Sequence, residues 1–330
     1  MRLLVLTLFL LPVLALHACQ QPQAYSLQGR ALHAPALPDE VQAERELALK
    51  QAETILAVHP ESEDATIWVG RRTAYLGRYR EAIEIYTTGL QEHPESHRLR
   101  RHRGHRYITL RQFPAAIEDL KEADELSRDL TDQIEPDGMP NAQGKPRSTT
   151  RGNILYHLGL ARYLTGSFDL ASLDFQRCLE LARNDDMAVA AAYWMFLSAT
   201  RAGQSELARQ ALMVAVPEMD LIENQTYQLL LLRFQGNLIE AESNSHLDAG
   251  VDEATMAYGI AMHELFQGNE ELARAQLEQL VESTNWAAFG HIAAESDLTR
   301  GIEATTMRPD STAISEKAVQ PEADQLTPMD

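Results

Sequence analysis

Between residues 97 and 107 the chain reads HRLRRHRGHRY, with five arginines (98, 100, 101, 103 and 106), three histidines (97, 102 and 105) and no acid. Arg101 and His105 are four residues apart, so on a helix they share one face. Guanidinium groups grip carboxylate or phosphate through paired N–H bonds. The chemistry open to this stretch is therefore anion binding. The competing reading is that these arginines pair with acids on neighbouring helices, for example Glu63, Glu81 or Glu118, because charged helix faces are usually solvated or self-paired. His102 and His105 have a spacing that can share a metal, but the arginines around them oppose a cation, and no metal site is expected.

Little else carries chemistry. Serine, histidine and aspartate are present, yet no nucleophile elbow marks a catalytic triad. No phosphate-cradling or dinucleotide-binding glycine loop is found, so no cofactor and no catalytic residue are expected. His157, His263 and His291 stand alone and read as structural. Cys178 reads as a buried structural thiol. The chain has 330 residues, and its 48 acids against 29 bases give a formal charge of −19. That balance argues against nucleic-acid binding, which needs a surface of Lys and Arg. Two cysteines exclude a disulfide framework.

The elements that must position these residues follow from an internal period. Gly70 and Gly104 are 34 residues apart, as are Ala82 and Ala116, Pro60 and Pro94, and Tyr79 and Phe113. The next matches, Gly104 to Gly159 and Ala116 to Ala171, are both 55 apart, one period plus a 21-residue insertion. Gly166 to Gly203 and Ala171 to Ala208 are both 37, Gly203 to Gly236 and Ala208 to Ala241 both 33, and Gly236 to Gly268 and Ala241 to Ala273 both 32. Two independent markers thus stay in step. Small residues at Gly70 and Ala82 let two helices approach, with Tyr79 and Tyr86 filling the groove between them. Gly77 suits a helix C-terminal turn, and Ser62 and Ser96 suit helix N-caps.

This pattern resembles the tetratricopeptide repeat over about residues 40–300, most fully in EDATIWVGRRTAYLGRYREAIEIYTTGLQEHPES. The unit at about 222–246 is the weakest match, because its second helix, LIEAESNSH, is short and polar. The resemblance implies an all-α, right-handed superhelical solenoid of helix-turn-helix units sharing one core. It predicts about thirteen or fourteen helices and no sheet, with a capping helix over residues 284–298. In this family the concave groove is lined by fixed positions of each unit. Those positions fall on Arg98, Arg101 and His105, and on Tyr156, Tyr193 and Tyr258, with Tyr163 two turns after Tyr156. A groove of that kind implies a protein or peptide partner carrying acidic groups. For the tyrosines, inter-repeat packing is the equal alternative. The family's carboxylate clamp is not reproduced, since the preceding unit offers Ile67 and Arg71.

The chain begins MRLLVLTLFLLPVLALHAC. Arg2 and the apolar run from Leu3 to Leu16 read as a secretory signal, being shorter than the ~20 residues of a membrane-spanning helix. Leu16-His17-Ala18-Cys19 resembles the bacterial lipobox, with His17 departing from the usual residue type. That resemblance implies lipid on Cys19 and a protein held at the membrane only by this anchor, each buried methylene adding about 0.8 kcal/mol. Gln20 after the cysteine points to the outer membrane, facing the periplasm. The expected organisation is a signal peptide at 1–18, a flexible tether at 19–38, a solenoid at 39–302 with a long loop at about 127–151, and a disordered acidic tail at 303–330. The leading expectation is a non-enzymatic, lipid-anchored adaptor of the cell envelope. One alternative is a small-molecule binder or enzyme whose 127–151 loop brings Asn141, Lys145, Arg147 and Ser148 to His105. Another is a structural subunit of an outer-membrane assembly or secretion complex. The sequence sets no oligomeric state.

Overall fold

A computed structural model describes residues 21–141, 143–237 and 251–302. The signal sequence, Cys19, the second helix of the weak unit and the 303–330 tail lie outside those residues. Thirteen helices follow one another among the described residues: α1 (Asp39–Val58), α2 (Glu63–Tyr75), α3 (Tyr79–Glu92), α4 (His97–Thr109), α5 (Phe113–Ser127), α6 (Thr150–Leu164), α7 (Phe168–Glu180), α8 (Asp185–Arg201), α9 (Ser205–Leu212), α10 (Gln225–Phe234), α11 (Val251–Phe266), α12 (Glu270–Val281) and α13 (Phe289–Arg300). Consecutive helices pack as hairpins, and each hairpin packs on the next.

The local causes are those the period suggests. The Ser62 and Ser96 hydroxyls accept bonds from the N–H groups of Ala65 and Leu99 at the starts of α2 and α4. Thr149 and Asn184 do the same for α6 and α8. Any side chain at Gly70 would run into Tyr86, and one at Gly104 into Leu120, so these positions set how closely the helices approach. Each hairpin turn needs one residue with positive φ. Gly77, Gly166, Gly203, Gly236 and Gly268 supply it, with φ between 71° and 85°. The equivalent place between α4 and α5 is held by Arg111, at φ 63°.

The largest core cluster runs from α4 to α13 around Trp194, Phe175, Tyr163, Tyr193 and Tyr258. A second cluster joins the two ends of the array. Trp286, in the α12–α13 connection, packs there with Ala24, Leu32, Tyr79 and Tyr86.

Three expectations are corrected. Residues 20–38 are not a free tether where they are described. Ala24–Tyr25 (β1) pairs antiparallel with Ala31–Leu32 (β2), a short sheet the repeat pattern does not predict. Gly29, at φ 86°, makes its turn, and Ala24 and Leu32 bury their side chains in the second cluster. The last described helix starts at Phe289 rather than 284 and packs on both helices of the final hairpin, α11 and α12, as a capping helix does. From there α13 also reaches back to α6, on the inner face of the array. Its acids Glu295 and Asp297 are fully buried, which is stable only where cations meet them, and that face supplies the cations.

Candidate functional site

The tyrosines expected to line the groove do come together. Trp194 Nε1 donates to Tyr156 Oη at 2.9 Å, and Tyr156 Oη lies 2.8 Å from Tyr227 Oη. Tyr193 packs its ring at a tilt against Tyr227, 5.1 Å between centroids, and is fully buried, its hydroxyl without a hydrogen-bond partner among the described residues. Arg201 donates to Tyr163 Oη, which is 2.6 Å from Tyr258 Oη, and Tyr258 donates in turn to Asp297 Oδ2 at 2.7 Å. Burial, then the nearby Asp297 carboxylate, pushes the Tyr258 phenol well above its ordinary range. Phe289 of α13 packs against His105, Tyr156 and His157, whose rings lie 5.4, 6.4 and 5.6 Å away. The inner face is therefore filled by the chain's own α13, and the open groove the repeat pattern predicts there is replaced by core.

A polar chain holds α13 in place. Arg111 donates to Glu295 at 3.0 and 2.7 Å, and also to the carbonyls of Trp286 and Thr109. His291 Nε2 lies 3.1 Å from Glu295, and Ser283 Oγ lies 3.1 Å from His291 Nδ1. Burial alone would raise the Glu295 carboxyl, but hydrogen bonds from His291 and Arg111 hold it below its ordinary value. The order Ser283–His291–Glu295 is that of a hydrolase nucleophile chain. Two features oppose catalysis. Arg111 already neutralises the carboxylate, and Ser283 follows the C-terminal end of α12, whose carbonyl dipole disfavours an oxyanion. Sequence reasoning missed Arg111. The signal was present as the one turn position in the series, 34 residues after Gly77, where glycine is absent.

The arginine stretch is mostly self-paired. Arg98 meets Glu63 at 3.2 Å, as the competing reading expects, and also Asp64. Arg100 meets Glu122 at 2.5 Å and Arg103 grips Asp119 at 2.7 Å, acids the sequence reading did not name. Arg101 is buried and meets Glu135 of the long loop at 3.0 Å. Arg106 has no ion pair among the described residues and lies over the Tyr79 ring at 5.5 Å. The loop does fold over this region, where Arg71 and Arg72 donate to the carbonyls of Pro136 and Gly138 at 2.7 and 2.9 Å. Asn141, Lys145, Arg147 and Ser148 do not gather at His105. They bond Glu223, Gln143, Asp186 and Asn153 instead. Asp186 accounts for this, because it also accepts the N–H groups of Ile222, Glu223 and Asn224 and draws Arg147 away to α8.

A wider opening lies elsewhere, between the start of α1 and the α11–α12 hairpin. It has a volume of about 1030 Å³ and is walled by Leu37, Pro38, Ala257, Ile260 and Leu280, with Arg45 and Gln276 among its polar groups. Gln276 Oε1 is buried without a hydrogen-bond partner among the described residues. Among those residues no group of three His, Cys, Asp or Glu side chains is placed to hold a metal ion, and no helix is long and apolar enough to cross a membrane.

Residues 152–185, which cover α6 and α7, match the tetratricopeptide repeat family. No curated protein matches the chain. Among solved structures it is similar to YrrB, a TPR protein with an unusual peptide-binding site, at 15% identity over 75% of this chain and 97% of that one, with a TM-score of 0.41. Apart from the short N-terminal sheet, the described residues are thus an array of helical hairpins, one of which, at residues 152–185, matches the tetratricopeptide repeat.

Proposed function

We propose that this chain is a lipid-anchored adaptor of the bacterial cell envelope, without enzymatic activity, that holds a segment of a protein partner in the cleft between α1 and α11–α12. The observation that carries the reading is the cleft itself. It is large enough for several residues of extended chain, its walls are largely apolar, and it is lined by Gln276, whose buried Oε1 has no hydrogen-bond partner among the described residues. Recognition sites commonly combine an apolar concavity with a few placed polar groups, and a backbone N–H of a bound peptide would satisfy Gln276. The buried tyrosine face is not the docking surface in this reading, because entry there would expose Glu295 and Asp297 without their arginines. Anchoring rests on Cys19 and the signal before it, with placement in the outer membrane facing the periplasm.

The test is in-cell photocrosslinking from position 279, on the cleft wall, with an Ile260→Glu variant alongside. A crosslinked partner that is lost in the variant supports the cleft. The same partner captured equally by both excludes it. Palmitate labelling that disappears in Cys19→Ser tests the anchor separately.

A further inference from the structure

A second cavity, of about 120 Å³, lies between α2, α3 and α4 and is lined by Arg71, Tyr75, Tyr86, Arg101, His105 and Arg106. A single water needs only about 10–15 Å³ of such space, so this one holds a small ion with water but not a peptide. Three guanidiniums meet here in a chain whose net charge is −19. Arg101 is only 8% exposed, and its Nε has no hydrogen-bond partner among the described residues. Its other nitrogens are engaged, one with Glu135 and one at 3.0 Å from His102 Nδ1. Arg106 has no carboxylate partner among those residues. Arg71 donates to Tyr75 Oη at 3.3 Å and to a loop carbonyl.

The opposing acids are few. Glu135 is already taken by Arg101 and lies 3.9 Å from His102, and Asp137 stands near Arg71. Arg101 itself feels Arg71 and Arg106 as repulsive neighbours, and the charges acting on His102 include Arg101, Arg71, Arg106 and Arg98. Burying like charges this closely is costly unless an anion joins them. The donors come from two helices, α2 and α4, and therefore from more than one direction, which suits a tetrahedral anion better than a planar carboxylate. The loop packs against two of the lining side chains. A side chain on Gly138 would run into Tyr75 Oη and Arg71 Nη2.

We propose that this cavity binds a free tetrahedral oxyanion of the phosphate or sulfate class, held by Arg101, Arg106 and Arg71 with help from the Tyr75 hydroxyl. The site is separate from the α1/α11–α12 cleft and does not depend on it. Glu135 positions Arg101.

The experiment is calorimetric titration of the mature, unacylated protein with sodium phosphate, sodium sulfate and sodium acetate in turn, at fixed pH and ionic strength in chloride. Thermal unfolding is followed in the same solutions. The expected result is saturable binding of phosphate or sulfate with Kd near or below ~1 mM and a matching rise in Tm. Arg106→Gln should weaken that binding at least tenfold while keeping its anion-free Tm, since Arg106 is half-buried and carries no ion pair. Arg209→Gln, at an exposed pair far from the cavity, should change nothing. Absence of saturable binding, acetate binding as tightly as phosphate, or unchanged affinity in Arg106→Gln would each overturn the proposal.

Discussion

Arg111 and Glu295 are 184 residues apart in sequence, yet they share two hydrogen bonds of 3.0 and 2.7 Å in the interior of the protein. Arg111 makes them from a backbone conformation that every other hairpin turn in the series assigns to glycine. A left-handed conformation costs a non-glycine residue about 1–2 kcal/mol. The ion pair offsets that strain and brings the last helix to the fourth.

Arg111→Met should destabilise the fold by about 3–5 kcal/mol, since it strands a buried carboxylate. Arg111→Gly loses the same bonds but relaxes the turn, so it should cost about 1 kcal/mol less. Urea unfolding of the two variants measures the difference. Equal losses would mean that the turn stores no strain.

Gly290, at the start of α13, lies against the backbone carbonyl of Ala254, which has no freedom to move aside. Gly290→Ala should push α13 away from α11 at a cost of about 1–3 kcal/mol. Tryptophan fluorescence reports this through Trp286, buried at the end of the same connection. A red shift is expected before global unfolding, and an unchanged spectrum with unchanged stability would refute the contact.

Acidification should weaken the fold from about pH 6.5 downward. Burial, and after it neighbouring cationic groups, hold His102, His105 and His157 well below their ordinary value of 6.5. The unfolded chain takes up protons there that the folded chain refuses, so this contribution is full above 6.5 and lost as pH falls. Each histidine accounts for up to about 2 kcal/mol by pH 5. Asp174 acts in the opposite sense. Burial, opposed by Arg162, leaves its carboxyl raised to about 6, so the fold binds that proton more readily than the unfolded chain. His157→Gln should flatten the pH dependence of urea stability by roughly a third of the histidine contribution. An identical slope in the variant would contradict this account.

Cys178 is buried, and its thiol is pushed up to about 12 by burial and the nearby Asp132 and Asp174 carboxylates. At neutral pH it should resist alkylation in the native protein and react only as fast as the structure opens. Iodoacetamide labelling followed by mass spectrometry checks this. Rapid labelling without denaturant would show local opening around α7.

The hairpins were legible in the sequence because their determinants are local. Gly70, Ala82, Tyr86 and the capping Ser62 and Ser96 act within one unit or on the next. The gathering of Tyr156, Tyr163, Tyr193 and Tyr258 was legible for the same reason, since a fixed repeat position maps to a fixed face. What fills that face was not legible. Glu295 and Asp297 look like ordinary surface acids until Arg111 and Arg201 are known to face them, and nothing within a few residues of either pair announces the other. The N-terminal hairpin was hidden in the same way, because Ala24 and Leu32 are buried in a cluster whose other members, Tyr79 and Trp286 among them, arrive from distant parts of the chain.

An array in which every unit touches only its neighbours can fray from either end and fold from any point. Here the first and last described segments are fastened together. Leu27 N–H reaches Glu295, Arg30 reaches Glu282 and the Val281 carbonyl, and Trp286 reaches the His33 carbonyl. A spring whose ends are hooked behaves as a ring. Loss of either terminus releases the other, so the ends, normally the first part of a solenoid to open, are tied to the stability of its centre. The same fastening delays folding, because its contacts span nearly the whole described chain and form only once the intervening units are in place.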